Sequence, residues 1–347
     1  MKSIRPPHIS APWRRFPLRN QHAGVTPEHP ALFNLDCIEG AHRHLKNDST
    51  DLILTDPPYG IDGTGLERLY SRSSDRIEGG YVDVHRSEYA HFTRRWIAQA
   101  ERILRPGGSI YIVSGYTHLL EILQALRDSS LEEINHIIWK YSFGLHTTRK
   151  FVSSHLHILY YSKPGGTPTF NRNARFSEKD QDADGHSHLY RDLEDVWTLP
   201  REYKPGRSRN QNELPSSLLA KIIQYSSHPG DIVADLFLGS FSTAKVARAM
   251  NRSIVGFEVN PVHFEKKRLE VEQIEPGGLL KDLPRGHDDA PQRRRKRWTE
   301  EELDRLATRF QEIRSGGRNK GEAIHSLTDE FERGRFAIRN ALKRRGL

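Results

Sequence analysis

From residue 28 to 275, short apolar runs alternate with stretches of helical period. Asp51-Leu-Ile-Leu-Thr55 and Ser109-Ile-Tyr-Ile-Val113 are compact apolar runs of strand length, and 134–139, 156–161, 232–237 and 253–259 read the same way. Helices are predicted over 89–104, 119–126 and 242–250. Another follows Pro215, where Leu218, Leu219, Ile222 and Ile223 share one face. Arg105-Pro-Gly-Gly108 reads as a helix stop followed by a turn. The alternation predicts an α/β sheet with helices on both faces, and 232–259 forms a complete βαβ unit.

The rhythm fails in three places. Residues 1–27 are rich in Pro, Arg and His without periodicity, which predicts an extended or disordered basic arm. Residues 164–210 are polar and irregular, and so long a segment within a domain points to a functional or a disordered stretch. Residues 276–297 read as a linker ending in Arg293-Arg-Arg-Lys-Arg297. Beyond it, 298–347 is purely helical. Thr299 and Glu302 make a capping box ahead of Leu303, Leu306, Phe310 and Ile313, and Gly316-Gly317 stops that helix. Ile324, Leu327 and Phe331 mark a second helix, and a third follows Gly334, giving a small all-α module.

Charge sharpens this division. The 347 residues carry a formal +8, yet 1–25 hold five cationic groups and no acid, and 291–347 hold a surplus of +7. The body between is mildly acidic, so contact with a polyanion is expected at the two ends. The mean hydropathy of −0.71 and the lack of a long apolar run argue against a membrane span. The first residues lack the apolar core of a secretory signal, so an intracellular location is expected. A single cysteine, Cys37, excludes an intrachain disulfide and a cysteine-rich zinc module. The His-x-His pairs 42/44, 155/157 and 186/188 lack companion ligands at metal spacing, so no metal is expected.

Two motifs carry chemistry. Asp56-Pro57-Pro58-Tyr59 directly follows the strand 51–55, at the sheet edge where open α/β folds bind ligands. A carboxylate, a carbonyl without a ladder partner and an aromatic ring suit a planar heterocycle bearing an amino group. Asp235-Leu-Phe237-Leu-Gly239-Ser240 links a strand to a helix, where Gly239 permits close backbone approach. Glu258 ends the following strand, at a spacing where an acid meets ribose hydroxyls in dinucleotide-binding folds, although no GxGxxG is present.

Together these residues resemble the amino-methyltransferases of DNA. Asp36-Cys37 resembles the family's Gly-Asp-Cys element, which holds the cofactor adenine; a small buried filler is an equally good account of Cys37. Ser154-His155 through Lys163 resembles the strand beside the target-base pocket, and Arg105–Gly108 is similar to a common methyltransferase element. The order, catalytic motif before Phe-x-Gly, resembles the beta group, and the resemblance spans about residues 30–275. It implies a Rossmann-like methyltransferase sheet, S-adenosylmethionine as cofactor, double-stranded DNA as substrate and restriction-modification as setting. It also implies cofactor contacts from Asp36, Cys37, Asp235, Phe237, Gly239, Ser240 and Glu258, and catalysis by the 56–59 loop on a flipped base. Adenine N6 is the expected target and cytosine N4 the alternative. A homodimer and a restriction endonuclease partner are compatible with the resemblance.

Two departures stand out. The family's Phe-x-Gly-Ser-Gly-Thr-Thr is here Phe237-Leu-Gly-Ser-Phe241-Ser-Thr243, so Phe241 either stacks near the methionine moiety or narrows the pocket. Its Pro-Thr-Gln-Lys-Pro element is here Arg209-Asn-Gln-Asn-Glu-Leu-Pro215. A DNA-binding regulator on a methyltransferase scaffold therefore stands as a different class of function, and RNA methylation as a third. Segment 164–210 is the candidate for target recognition, with Arg149, Lys150, Arg172 and Arg175 facing DNA. The C-terminal module resembles helix-turn-helix or Myb-like domains. Its last helix presents Arg335, Arg339, Asn340, Lys343 and Arg344 for DNA, beside an apolar side of Ile338, Ala341 and Leu342.

Overall fold

The computed structural model describes residues 25–60, 84–141, 148, 151–200, 213–286, 298–331 and 333–347. Most of the basic arm, Arg149, Lys150, residues 201–212 and the 293–297 cluster lie outside the described residues. The chain divides into two units. One comprises Met1–Arg175 with Leu189–Arg285, the other Phe176–His188 with Gly286–Leu347.

The first unit holds an eight-stranded sheet of order β1-β8-β7-β2-β3-β5-β4-β6. Its strands are β1 (Ala31–Phe33), β2 (Thr50–Thr55), β3 (Leu104–Ser114), β4 (Glu132–Lys140), β5 (His155–Ser162), β6 (Val196–Thr198), β7 (Ile232–Asp235) and β8 (Ser253–Phe257). All neighbours pair in parallel except β5, which runs antiparallel to β3 and β4. The carboxyl ends of β1, β8, β7, β2 and β3 therefore open on one edge.

Central strands feed two cores in alternation. Leu52, Leu54, Tyr111, Val113 and Val233 face one, whereas Ile53, Ile110, Ile112 and Ala234 face the other. This is why these strands read as unbroken apolar runs. Helices α5 (Ser216–Ser226) and α6 (Ser242–Ala249) cover the first core. Helices α1 (Cys37–His44), α2 (Tyr89–Ile103) and α3 (Leu119–Arg127) cover the second.

Several boundaries differ from the sequence reading. Strand β3 begins at Leu104, and Arg105–Gly108 is drawn into the sheet as a bulge rather than a free turn. Gly107 N donates to Lys163 O and Lys163 N to Gly108 O, while the pairing with β2 jumps from Thr50↔Leu104 to Leu52↔Ser109. Within 164–210 the chain forms α4 (His188–Asp192) and β6, and residues 176–188 group with the C-terminal unit. Helix α7 (Pro261–Glu272), capped by Asn260, precedes a 3-10 turn at Gly278–Lys281. Leu279, Leu280 and Leu283 pack on the first core, so the first unit extends past the expected boundary at 275.

The second unit packs α8 (Glu300–Ser315), α9 (Lys320–Glu330) and α10 (Arg335–Arg344) around Leu303, Leu306, Phe310, Ile324, Leu327, Phe331, Ile338 and Leu342. The Thr299–Glu302 capping box forms as expected. Glu302 also pairs with the buried Arg333, whose guanidinium lies 4.1 Å from the Trp298 ring centre. Among the described residues no helix is long and apolar enough to cross a membrane.

Candidate active site

The loop Asp56–Tyr59 leaves the carboxyl end of β2, with Pro57 buried and Asp56, Pro58 and Tyr59 partly exposed. The Tyr59 hydroxyl donates to Asp56 Oδ2 at 3.3 Å. The Tyr59 ring lies over the end of β3, where a Cβ on Gly115 would stand 3.4 Å from the ring and 3.9 Å from Leu156. The loop thus presents a carboxylate and an aromatic face beside the start of β5.

The next strand over, β7, ends in Asp235. This residue was expected against the cofactor, but it lies beneath the glycine loop, 3 % exposed. It accepts hydrogen bonds from Thr55 Oγ1 at 2.9 Å and Phe237 N at 3.0 Å, and from the Thr243 hydroxyl. Burial pushes its carboxyl up to about 6, against the pull of those donors. Asp235 is therefore a brace for the loop.

Cys37 is likewise interior. Its thiol packs in the second core, and burial holds it well above the usual thiol range. The filler account fits this position. Phe237 is half-buried, edge-on to Trp96 with ring centres 5.5 Å apart. Gly239 is exposed at φ +47°, and Ser240 shares a hydrogen bond with Ser242, which in turn reaches Glu213.

The Phe241 side chain is turned inward. It is wholly buried in the first core, tilted against Phe264 at 6.1 Å, and its backbone caps α6 at φ +61°. The left-handed conformation that glycine ordinarily fills is kept, and the side chain is turned inward.

Two carboxylates rim this edge. Glu258, following β8, accepts Gly239 N on Oε2 at 2.9 Å and Asn260 N on Oε1 at 2.8 Å. Asp36, exposed at the start of α1, accepts Ile38 N and Glu39 N on Oδ1. The loops after β1, β8, β7 and β2 thus gather Asp36, Glu258, Gly239 and Asp56 on adjacent strands.

Other expected residues fall elsewhere. Arg175 is partly buried and engaged inward; it binds Asp192 at 2.9 Å and Gln224 at 2.9 Å within the first unit. Lys221 joins the same Asp192 and stands over the Trp197 ring, and burial lowers its amine to about 8. His157 is bonded to His136 at 2.9 Å, and its ring is held below the usual range by burial and two neighbouring histidines. In the second unit His186 lies near Asp182 and Asp184, where Asp182 Oδ1 already accepts the His186 and Asp184 backbone N–H groups of a tight turn. Arg335, Arg339, Asn340, Lys343 and Arg344 are all exposed on α10, opposite its buried Ile338, Ala341 and Leu342.

Sequence reasoning did not single out Thr55, Tyr89 or His118, each of which touches a loop at this edge. Thr55 had a usable signal, a hydroxyl residue ending an apolar strand.

Known proteins match this arrangement. The chain is 29% identical over 237 residues to the type II methyltransferase M.HpaI of Haemophilus parainfluenzae, covering 67% of this chain and 72% of that protein. It is 29% identical over 255 residues to the type II methyltransferase M.BamHI of Bacillus amyloliquefaciens, covering 69% of this chain and 56% of that one. Among solved structures, the M1.HpyAVI–SAM complex superposes with a TM-score of 0.51 at 19% identity, over 70% of this chain and 99% of the other. The cytosine-N4-specific PvuII DNA methyltransferase gives 0.51 at 15% identity, over 73% and 90%. These two share the fold. The model of the N6/N4 DNA methylase family matches residues 50–267, well over half of the chain and including both the 56–59 and the 237–240 loops. On that match, the protein belongs to the N6/N4 DNA methylases, the amino-methyltransferases of DNA.

Proposed function

We propose that the protein transfers a methyl group from S-adenosylmethionine to adenine N6 at a specific site in double-stranded DNA. The observation that carries this reading is the Asp56–Tyr59 loop on β2, directly beside the Gly239 loop on β7. Asp56 leads the motif, as it does more often in the adenine than the cytosine members that the sequence resembles.

The residues present suit that cofactor. Each Glu258 oxygen accepts one backbone N–H and keeps a second lone pair, enough for the two hydroxyls of a ribose. Asp36 caps α1 through Oδ1, leaving Oδ2 for an exocyclic amino group. Among the described residues a Cβ at Gly239 would meet only Phe237 O within 4 Å, so no described residue closes the loop from above. When bound, the cofactor supplies an electrophilic methyl group on a sulfonium.

The chain's own groups act on the base. An adenine amino nitrogen is a weak nucleophile because its lone pair is delocalised into the ring. Asp56 and the Pro57 carbonyl accept its two N–H bonds and favour localisation of that pair, and Tyr59 stacks on the extruded base. Held in line, the nitrogen gains most from proximity.

Modification-sensitive sequencing of DNA from cells expressing the protein tests the reading. N6-methyladenine at a defined site is expected, and Asp56→Ala is expected to abolish it while calorimetry still detects cofactor binding. N4-methylcytosine would reassign the base. A blank result with no cofactor binding would favour a regulator on this scaffold.

A further inference from the structure

We propose that Tyr89 and His118 form a clamp that positions the Asp56–Gly60 loop for methyl transfer. The inference rests on the amino-methyltransferase reading and concerns residues that do not themselves reach the substrate.

Tyr89 is the first residue of α2 and His118 the residue ahead of α3; they are 1 % and 3 % exposed. Their rings stack at 4.0 Å between centres and 18° between planes. The Tyr89 hydroxyl donates to Pro58 O at 2.9 Å, and His118 Nε2 lies 3.2 Å from Gly60 O. On its far side, His118 Nδ1 lies 3.2 Å from Glu121 Oε1, which fixes the ring from behind.

The loop needs such an anchor because of its own sequence. Pro57 and Pro58 have no N–H, so neither can tie the chain to a neighbour as a donor. Carbonyl oxygens are the remaining handles there, and the clamp takes the two that flank Tyr59. Gly60 completes the fit. Its φ is +59°, and a Cβ would stand 2.6 Å from Tyr89 Cδ2 and 2.7 Å from His118 Nε2. The backbone is thus seated directly on the two rings. Holding the carbonyls at 58 and 60 holds the backbone of Tyr59 between them, and because the Pro58 ring restricts φ, it also limits the direction of the Pro57 carbonyl just before.

Both side chains are buried and act through the loop, so they are positioning residues. Misplacing a reacting group by about 1 Å costs on the order of a hundredfold in rate. Loss of one anchor is therefore expected to lower kcat by about tenfold.

The test uses Tyr89→Phe, which removes only the hydroxyl and keeps the stacked ring, together with His118→Gln and His118→Ala. Methyl transfer is measured with labelled S-adenosylmethionine and unmethylated bacterial DNA, well below each variant's melting temperature. Tyr89→Phe is expected to lower kcat about tenfold while KM for the cofactor stays within about twofold. His118→Gln keeps a donor for Gly60 O and is expected to retain more kcat than His118→Ala. The double variant Tyr89→Phe/His118→Gln is expected to lose less than the product of the single losses, since both act on one loop. Wild-type kcat in Tyr89→Phe, or a lowered melting temperature as its sole effect, overturns the clamp. An inactive wild-type protein overturns the methyltransferase reading itself, and the clamp with it.

Discussion

Thr55 and Asp235 are the last residues of two adjacent parallel strands, and the Thr55 hydroxyl donates to Asp235 Oδ1 across 2.9 Å. The Asp56–Tyr59 loop begins at the next residue after Thr55, and the glycine loop at the next after Asp235. One buried hydrogen bond thus fixes the relative departure points of these two loops.

That geometry leaves a carboxylate in the interior and makes stability pH-dependent. Burial raises the Asp235 carboxyl from 3.8 to about 6, so the folded state holds its proton more tightly than the unfolded chain. The associated stability is fully present below about pH 4 and is lost as pH rises through about 6, with a magnitude of about 3 kcal/mol. Asp235→Asn removes this titration. Urea unfolding at pH 5 and pH 7.5 is expected to show a smaller difference between the two pH values in the variant. An identical difference would deny Asp235 this role.

Phe241 makes a separate prediction, because the residue that departs most from the family pattern is turned away from the site. Restoring glycine relieves a left-handed φ, worth about 1 kcal/mol, but deletes a fully buried aromatic side chain, worth about 3–5 kcal/mol. The burial term wins. Phe241→Gly is expected to destabilise the protein by about 2–4 kcal/mol in chemical denaturation. Cofactor affinity, measured by calorimetry on the folded variant, is expected to change little. A gain in affinity would mean that the side chain occupies the cofactor pocket.

The contrast between these two loops shows what a sequence displays and what it hides. Strands β2, β3, β7 and β8 were legible because both sides of each are buried, which writes a continuous apolar run. Strands β1 and β6 hold three residues each, too few for any period to emerge. Helix α1 carries Gly40 at its centre, where a Cβ would collide with the Phe257 ring, so packing chose a residue that local propensity disfavours. The 56–59 motif announced its chemistry because its groups are contiguous. Asp235 and Cys37 matched family positions equally well, yet whether such a residue faces a ligand or the core is decided by distant strands. Tyr89 and His118 lie 31 and 58 residues from the carbonyls they hold, beyond the reach of any local pattern.

Glu258 is expected to govern cofactor binding. Its two oxygens hold Gly239 N and Asn260 N, and the same oxygens are the natural acceptors for ribose hydroxyls. Hydrogen bonds to a charged group are worth about 1.5–3 kcal/mol, so Glu258→Ala is expected to weaken S-adenosylmethionine binding by about tenfold or more. Glu258→Gln keeps one acceptor oxygen and is expected to lose less. Calorimetric titration of the free protein reads this directly. Equal affinity in wild type and Glu258→Ala would move the ribose site elsewhere.

The basic C-terminal unit is expected to supply salt-dependent affinity for the duplex. Arg345 is tied to Glu300 and Asp304, and Arg333 to Glu302, so these cations are already neutralised within the unit. Arg335, Arg339, Lys343 and Arg344 are exposed on α10 and make no ion pair among the described residues. Each phosphate that such a cation neutralises contributes about 0.9 to the slope of log affinity against log salt. Replacing these four residues with alanine is expected to flatten that slope by about 2–4, and removing residues 291–347 to flatten it further. Cofactor binding, which the proposed site places in the other unit, is expected to persist in both proteins. Fluorescence anisotropy with duplex DNA across 50–300 mM salt measures the slope, and an unchanged slope would make the charges of α10 a solvated face.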